Sequence, residues 1–368
     1  MKEERKRILQ MVEEGKLKVD EALLLLEELE KSNTSMEEKQ QKLYNELSTV
    51  VNFEEGKKSS GFSYQKAQSA KEKILEFVDV AFKKIKDFDL DWNFGQSVDV
   101  SHIYQQTHVR VKDIDIDVAN GSVALIPWDQ SDVRVECEAK VYRVESPEEA
   151  KSLFIKDVLF SVEGDKLRFG AQQKWMKVQA KVYVPSTDFD HIRIRMFNGP
   201  ITSENLVVAS FKAKTANGKV DVSNIKGSKA ELETANGQIS VQHSQILDLE
   251  AETINGAIRA DGTFKKLDLQ SFNGNIECEL VGDQSDVVVA KATTGSIKVK
   301  VPASWALSGE LKSNLGGFQV DVDDISVVEN KSEVVQKMFS FKSTRPLDTY
   351  TTILADTKTG SISLKKVK

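Results

Sequence analysis

A short motif of the form Thr-x-Asn-Gly-x-Ile recurs along this 368-residue chain and limits its folding more than any other feature. The clearest copies are TANGKV, TANGQI, TINGAI and SFNGNI, which begin at Thr215, Thr234, Thr253 and Ser271. The glycines at positions 199, 218, 237, 256, 274 and 295 follow one another by 19, 19, 19, 18 and 21 residues. A fixed period near 20 residues is typical of a stacked repeat protein.

Two β architectures are compatible with this motif. An Asn-Gly pair between two alternating segments fits a β-hairpin. Hairpins at this spacing would require a second turn signal in every repeat and another sheet to cover them, whereas stacked coils require less. In the aligned copies, the third position after the asparagine is aliphatic, and its occupants are Val220, Ile239, Ile258, Ile276 and Ile297. We therefore predict a mainly β fold, a single-stranded β-helix (solenoid) of coils of about 19 residues, over residues 98–368.

The asparagine of each motif is predicted to lie at the corner of a coil. The glycine that follows it supplies the backbone freedom for the bend. Stacked asparagine side chains can hydrogen-bond to one another along the axis as a ladder. The predicted ladder consists of Asn198, Asn217, Asn236, Asn255 and Asn273. We favour this structural role over a catalytic one.

The N-terminal residues 1–31 are rich in Leu, Glu and Lys and predict a helical hairpin. Ile8, Met11 and Val12 share one face of its first helix. The apolar face of its second helix contains Ala22, Leu25, Leu26 and Leu29. A unit of this size buries too little apolar surface to be stable alone. It therefore requires another domain, another copy or a partner to pack against.

Residues 32–65 are predicted to form a polar linker, within which a short helix over residues 36–50 is an alternative. Because a linker follows the hairpin, we expect the hairpin to associate with itself or with a protein partner rather than to pack on its own chain.

Residues 66–97 are predicted to contain an amphipathic helix, over 66–88, that covers the open end of the β-helix. A second interpretation is that this helix contacts a membrane surface or an amphipathic peptide. The candidate surface for that contact consists of Phe77, Phe82, Lys83, Lys84 and Phe88. Acidic residues nearly cancel the lysine charges, so the cap is the favoured interpretation. A further helix, SPEEAKSLFI at 146–155, is predicted as an insertion that begins at a Ser-Pro cap.

The repeated T-x-N-G-x-I coils, preceded by RILQMVEEGKLKVDEALLLLEEL, resemble the YvlB-like and LiaX-like bacterial proteins. In that family a SHOCT-like helical module precedes an adhesin-type domain of unknown function, which here would cover residues 98–368. The resemblance implies a right-handed, single-stranded β-helix. It also implies a link to the cell-envelope stress response of Gram-positive bacteria. A shared fold does not by itself establish a shared function.

The sequence offers little for catalysis or cofactor binding. The four histidines and two cysteines form no metal-ligand spacing, and no phosphate-binding, dinucleotide-binding or nucleophile motif occurs. The repeats vary so little in length that they leave no room for the long loops that wall the clefts of β-helical polysaccharide enzymes. We therefore expect no enzyme activity, no catalytic residue, no metal and no cofactor. The net charge of −6 argues against nucleic acid as a partner.

The favoured function is that of a non-enzymatic binding and regulatory protein, in which the β-helix is a scaffold and the N-terminal helices contact partners or a membrane. A protein that binds or cleaves carbohydrate and a surface adhesin are the alternatives. No signal peptide or membrane-spanning apolar run is present, which favours the cytoplasm with peripheral membrane contact. The alternative location is the cell surface, reached by a route that needs no signal peptide.

Overall fold

The computed structural model describes residues 2–51, 95–333, 336–345 and 350–367, and over these ranges the protein is mainly β with a helical N-terminal region, as predicted. Helix α1 spans Lys2–Glu13, α2 spans Val19–Ser48 and α3 spans Pro147–Asp157. The predicted insertion is confirmed as α3, whose first turn is capped by Ser146, since its Oγ accepts a hydrogen bond from the Glu149 amide at 3.2 Å.

The strands form one 22-stranded sheet. The first strands are β1 (Ser97–Gln106), β2 (Asp113–Trp128), β3 (Val133–Tyr142), β4 (Val158–Glu163), β5 (Lys166–Ala171), β6 (Met176–Pro185), β7 (Asp188–Asn198) and β8 (Ile201–Glu204). The next are β9 (Val207–Asn217), β10 (Val220–Ser223), β11 (Lys226–Asn236), β12 (Ile239–Asn255), β13 (Ile258–Asn273), β14 (Ile276–Leu280) and β15 (Val287–Ala292). The last are β16 (Ile297–Pro302), β17 (Leu307–Ser313), β18 (Phe318–Asp321), β19 (Ile325–Ser332), β20 (Lys337–Ser343), β21 (Thr351–Thr357) and β22 (Ile362–Val367).

Successive repeats lie side by side as parallel strands, and we call each repeat a rung. Within a rung, one strand ends at the motif asparagine and the chain resumes extended structure three residues later, as at Asn217 and Val220. Thr234 pairs with Thr215 on one side and with Thr253 on the other. Equivalent positions of neighbouring motifs are therefore adjacent in space.

The C-terminal rungs do not follow chain order. β15 and β16 pair with β21 and β22, and those two strands in turn pair with β17 and β18. The last segment of the chain is thus inserted between two earlier segments. Its TKTG sequence, from Thr357 to Gly360, therefore stacks against the ATTG sequence that begins at Ala292.

Antiparallel strands flank the parallel rungs at both ends. At one end β3 pairs with β1 and β6, and β4 pairs with β5. At the other end β20 pairs with β17 and β19. Helix α3 packs over the first of these ends, where it buries Ala150 and Phe154.

The inward-facing side chains of successive rungs form one continuous apolar core. The aliphatic column predicted from the repeat is buried throughout, and Val220, Ile239 and Ile258 are fully excluded from solvent. Both cysteines, Cys137 and Cys278, are free and lie in this core. Their burial raises the pKa of each thiol to about 12.

The predicted polar linker over residues 32–65 is wrong for its first part, because α2 continues through Ser48. Within this polar segment, Met36, Leu43 and Leu47 recur on one helix face and pack against the β region. The rest of the predicted linker, residues 52–65, lies outside the described residues. So does the amphipathic helix predicted over residues 66–88.

The helical hairpin also packs on its own chain, contrary to the expectation from sequence. The predicted core of the hairpin forms: Ile8 of α1 is buried against Ala22, Leu25 and Leu29 of α2. Leu315 of the β region packs against the same cluster. The sequence reasoning failed here because it took residues 32–65 to separate the hairpin from the β region.

Candidate functional site

The motif asparagines form a continuous row of hydrogen-bonded side chains. Each amide Nδ2 donates to the Oδ1 of the asparagine in the preceding rung, at 2.8–2.9 Å. In order along the row, the members are Asn120, Asn198, Asn217, Asn236, Asn255 and Asn273. Asn120 is an addition to the predicted ladder, and it lies in the sequence VANGSV, which begins at Val118 and diverges from the repeated motif at its first position. Because every amide donates in the same direction, the row is polar along its length.

The threonine of the motif has a specific task that the sequence analysis did not identify. The Thr234 hydroxyl donates to the carbonyl oxygen of Gly218 at 2.9 Å, and that of Thr253 donates to Gly237 at 2.9 Å. These threonines are fully buried, so the bonds satisfy hydroxyl groups that would otherwise lack a partner. These hydrogen bonds therefore connect the corner of each rung to the corner of the preceding rung.

The residue between this threonine and the asparagine points out of the core and under α2. These side chains are apolar, and the row they form consists of Phe197, Ala216, Ala235, Ile254 and Phe272. We call this row the corner groove. Leu43, Leu47 and Val50 are buried against it, with 0 or 1% of each side chain exposed. The small size of Ala216 and Ala235 leaves space for the helix to approach closely.

Tyr44 of α2 joins the helix to the ladder itself. Its hydroxyl donates to Asn217 Oδ1 at 3.0 Å and accepts from Asn236 Nδ2 at 2.9 Å. Burial of this hydroxyl raises the pKa of Tyr44 above its ordinary value, so the neutral donor form is present at physiological pH. The ladder amides are therefore both a structural element and part of a binding surface.

A buried lysine forms the first charged contact beneath the helix. The Lys214 ammonium lies 2.6 Å from Glu233 and 3.0 Å from Glu46 of α2, and its side chain is only 7% exposed. Burial opposes the charge, but the hydrogen bond and charge of Glu233 and those of Glu46 raise the pKa of Lys214. Lys214 is therefore a fixed cation that an acidic side chain of the helix must meet.

Toward the N-terminal end of α2, the residues that contact the β region alternate in charge. Lys39 lies 2.5 Å from Glu252. Glu28 accepts a hydrogen bond from the Asn314 amide at 2.5 Å and lies 3.7 Å from Lys358. The helix thus presents acid, base and acid in order from its C-terminal end toward its N-terminal end.

The spacing of these contacts follows from two regular structures in register. Adjacent rungs lie about 4.8 Å apart, and one helical turn rises about 5.4 Å. Each turn of α2 consequently meets about one rung. The contacts follow this relation. Glu46 contacts Lys214, and Lys39, which lies two helical turns before Glu46, contacts Glu252, which lies two rungs after Lys214.

A second corner of the rungs also carries stacked asparagines that the sequence analysis missed. Asn224 Nδ2 donates to Asn205 Oδ1 at 2.7 Å, and both residues have positive φ, 53° and 56°. His243 occupies the equivalent position in the next rung, with φ of 48°. The 19-residue spacing of these three residues was the signal that could have located this corner.

The predicted contact residues Phe77, Phe82, Lys83, Lys84 and Phe88 all lie outside the described residues. In the described hairpin, several apolar side chains are instead left uncovered. Leu9, Val19, Leu23 and Leu24 are 54, 64, 53 and 57% exposed. The hairpin therefore has apolar surface that its own β region does not use.

Two grooves open on other faces of the β region. The larger, of about 430 Å³, crosses β8, β10 and β12 and is lined by hydroxyl, amide and carboxyl groups such as Thr202, Asp221 and Ser240. The smaller, of about 310 Å³, lies beside α3. Its residue Asp115 is partly buried, yet hydrogen bonds and charge from Arg193 hold the pKa of that carboxyl below its ordinary value.

In the part of the chain that the structure describes, no group of three or more His, Cys, Asp or Glu side chains is placed to hold a metal ion. Over the same ranges, no helix combines the length and apolar content needed to cross a bilayer.

Comparison with known proteins gives matches over both regions. The Toastrack DUF4097 family model matches residues 111–365, and a SHOCT-like domain model matches residues 3–33. Over 369 residues, 99% of each chain, the sequence is 44% identical to an uncharacterized protein, YvlB, from Bacillus subtilis (strain 168).

Two solved structures are similar in three dimensions. One is described as a "putative adhesin" from Bacteroides fragilis NCTC 9343, with 12% identity and a TM-score of 0.32. The other is described as a "putative lipid binding protein" from Parabacteroides distasonis ATCC 8503, with 13% identity and a TM-score of 0.38. Each alignment covers 73% of this chain and 97% of the other.

Proposed function

Because this chain belongs to the Toastrack DUF4097 family, we propose that it is a non-enzymatic binding protein of the cell-envelope stress response of Gram-positive bacteria. In this proposal the β region is a scaffold, coiled as a right-handed β-helix, and the N-terminal helices contact a protein partner, another copy or a membrane surface. The right-handed preference of parallel strand crossovers supports the hand of the coil.

The observation that carries the proposal is the two-sided hairpin. One side of α1 and α2 is buried against the β region, through Ile8, Leu25 and Leu47. Other apolar side chains, Leu23 and Leu24 among them, remain exposed on the same helices. Exposed apolar side chains grouped on one short element favour a contact surface.

Two carboxylates on the faces of the rungs are paired with cations, Asp115 with Arg193 and Glu277 with Lys298, and neither is suited to act as a general acid. Arg193 lowers the pKa of the Asp115 carboxyl despite its burial, and the hydrogen bond from Lys298 lowers that of Glu277. A general acid needs the opposite shift, toward the working pH.

Co-sedimentation with anionic and neutral lipid vesicles tests the membrane contact. We expect the full chain to sediment with anionic vesicles and Leu23→Asp/Leu24→Asp to lose at least about tenfold in affinity, since charge on the exposed apolar face opposes insertion. Ser35→Asp/Asn45→Asp, which adds the same charge at exposed positions of the same helix, is the matched control. Phe77→Asp/Phe82→Asp measures the contribution of the segment predicted from sequence.

If the full chain binds neither vesicle type, membrane contact is refuted, and the exposed leucines must then contact a protein partner or a second copy. Turnover of a bacterial polysaccharide by the purified chain would contradict the non-enzymatic part of the proposal.

A further inference from the structure

The contact between α2 and the corner groove has the form of an interface between separate molecules. An amphipathic helix lies in an apolar groove, with ion pairs and a tyrosine hydrogen bond beside the apolar contact, which is a common mode of peptide recognition. The groove is built entirely from β strands, and Leu43 and Leu47 are the helix side chains buried at its centre. Nothing in these contacts requires that the helix and the groove belong to one copy.

The groove selects its occupant by charge as well as by shape. A matching helix must place an acid over Lys214, a base about two turns earlier over Glu252, and an acid near Asn314. It must also place a tyrosine hydroxyl between Asn217 and Asn236. The α2 helix of a second copy meets every one of these requirements, because it is the same helix.

The covalent connection is long enough for α2 to reach another copy. Helix α2 ends at Ser48, the described N-terminal segment ends at Val51 beside the groove, and description resumes at Gly95, so 43 residues (52–94) lie between Val51 and Gly95. At about 3.3 Å per residue, a chain of that length spans at most about 140 Å. We propose that the corner groove is a site for helix exchange, in which the α2 of a second copy replaces the chain's own α2. This inference rests on the proposed role of the N-terminal helices in self-association.

The balance between closed and exchanged forms depends on concentration. The contacts are the same in both, so the closed form is favoured by the effective concentration of the tethered helix, which is typically on the order of 1 mM. We therefore expect closed monomers at micromolar concentration. Exchanged pairs should appear where the protein is locally concentrated or where the closed contact is weakened.

Two complementary full-length variants test the exchange. Leu43→Asp/Leu47→Asp places charge on the apolar face of the helix and leaves the groove intact. Ala216→Glu/Ala235→Glu places charge in the groove and leaves the helix intact. Neither variant can close on itself, but the intact helix of the second fits the intact groove of the first. The matched controls are Ser35→Asp/Asn45→Asp and Ala209→Glu/Ser228→Glu, which place the same charges at exposed positions of the same elements.

The mass of each sample is measured by native mass spectrometry and by light scattering after size exclusion at about 10 µM, a concentration far below the effective concentration of a tethered helix. We expect a heterodimer, at least tenfold more abundant in the complementary mixture than in either variant alone or in the control mixture. A complementary mixture that stays monomeric, or a control mixture that dimerises equally, overturns the proposal.

A labelled peptide of residues 18–51 gives a second measurement that does not need the groove variant to fold. We expect it to bind full-length Leu43→Asp/Leu47→Asp at least tenfold more tightly than the unaltered chain, whose groove is occupied. Equal binding to both chains, or to neither, contradicts a groove that accepts a helix in trans. Vesicle binding is measured separately, so loss of membrane contact and loss of exchange are distinguishable.

Discussion

Replacing Gly237 with alanine is the sharpest test of how tightly the rungs are stacked. A Cβ at this position would lie 1.9 Å from the carbonyl oxygen of Gly218 and 2.5 Å from its carbon. Contacts of real Cβ atoms begin at about 3.0 Å, so the two rungs must separate by about 1.1 Å. The obstacle is backbone rather than a flexible side chain, so the strain is not relieved by a rotamer change.

That separation breaks hydrogen bonds at the corner. The backbone amide of Gly218 donates to the backbone carbonyl oxygen of Asn236 at 2.9 Å, and that of Val220 donates to the carbonyl oxygen of Gln238 at 3.0 Å. Each distance would grow to about 4 Å, beyond hydrogen-bonding range, and the Asn236–Asn217 side-chain bond would lengthen with them. Three bonds at about 0.5–1.5 kcal/mol each give a loss of about 1.5–4.5 kcal/mol. At about 2.1 cal/mol/K of unfolding entropy per residue, a loss of that size lowers the Tm of this 368-residue chain by about 2–6 °C.

Thermal unfolding followed by circular dichroism measures this loss. The control is Gly317→Ala, because no heavy atom lies within 4 Å of a Cβ built there, and we expect its unfolding free energy to stay within about 0.5 kcal/mol of the original. If Gly237→Ala melts within about 1 °C of the unaltered protein, the rungs can separate without cost and the prediction of tight stacking is refuted.

Three further predictions concern the helix, the charges and the thiols. Leu47→Ala should weaken the docking of α2 by about 2–4 kcal/mol, because it empties a fully buried site, and hydrogen exchange of the α2 amides should rise while that of the β strands stays constant. Burial would raise the pKa of Asp115, but its hydrogen bonds and ion pair with Arg193 lower it below the ordinary value of 3.8. The ionised form is thus favoured in the fold, so this pair stabilises the protein above about pH 4 and the benefit is lost as the pH falls through the folded pKa. The Tm difference between the unaltered protein and Asp115→Asn should therefore shrink below that pH, and a constant difference down to about pH 2 would contradict the assignment. Cys137 and Cys278, with pKa values of about 12, should react with a thiol reagent at pH 8 on the order of a thousandfold more slowly than an exposed cysteine, and at the ordinary rate after unfolding in urea.

The parallel pairing of equivalent motif positions could be predicted from the sequence because its constraints are local and periodic. A 19-residue spacing and an alternating pattern sufficed to anticipate parallel neighbours such as Asn217 and Asn236. The period carried no information about strands that pair out of chain order. The insertion of β21 between β15 and β17 depends on contacts between segments far apart in sequence, and so it was not predicted.

The candidate site was harder to predict because it lies on the outside of the repeat. The corner groove consists of residues that vary from alanine to phenylalanine, such as Ala216 and Phe272, so no single residue type marked it. Its occupant was missed because the C-terminal half of α2 is polar apart from about one apolar residue per turn. A helix that packs on a narrow groove needs no more than that, and its composition then resembles that of a linker.

The match between helical turns and rungs links the evolution of two distant parts of the chain. A rung adds about 4.8 Å to the corner groove and uses about 19 residues. At about 1.5 Å per residue, α2 covers the same distance with about three residues. If a rung were duplicated between the Lys214 and Glu252 rungs, Glu46 and Lys39 could no longer meet both partners unless about one helical turn were inserted between them. In relatives that differ in the number of rungs along this groove, α2 should therefore differ in length by about one turn per rung. An insertion in one of these two regions thus predicts an insertion in the other.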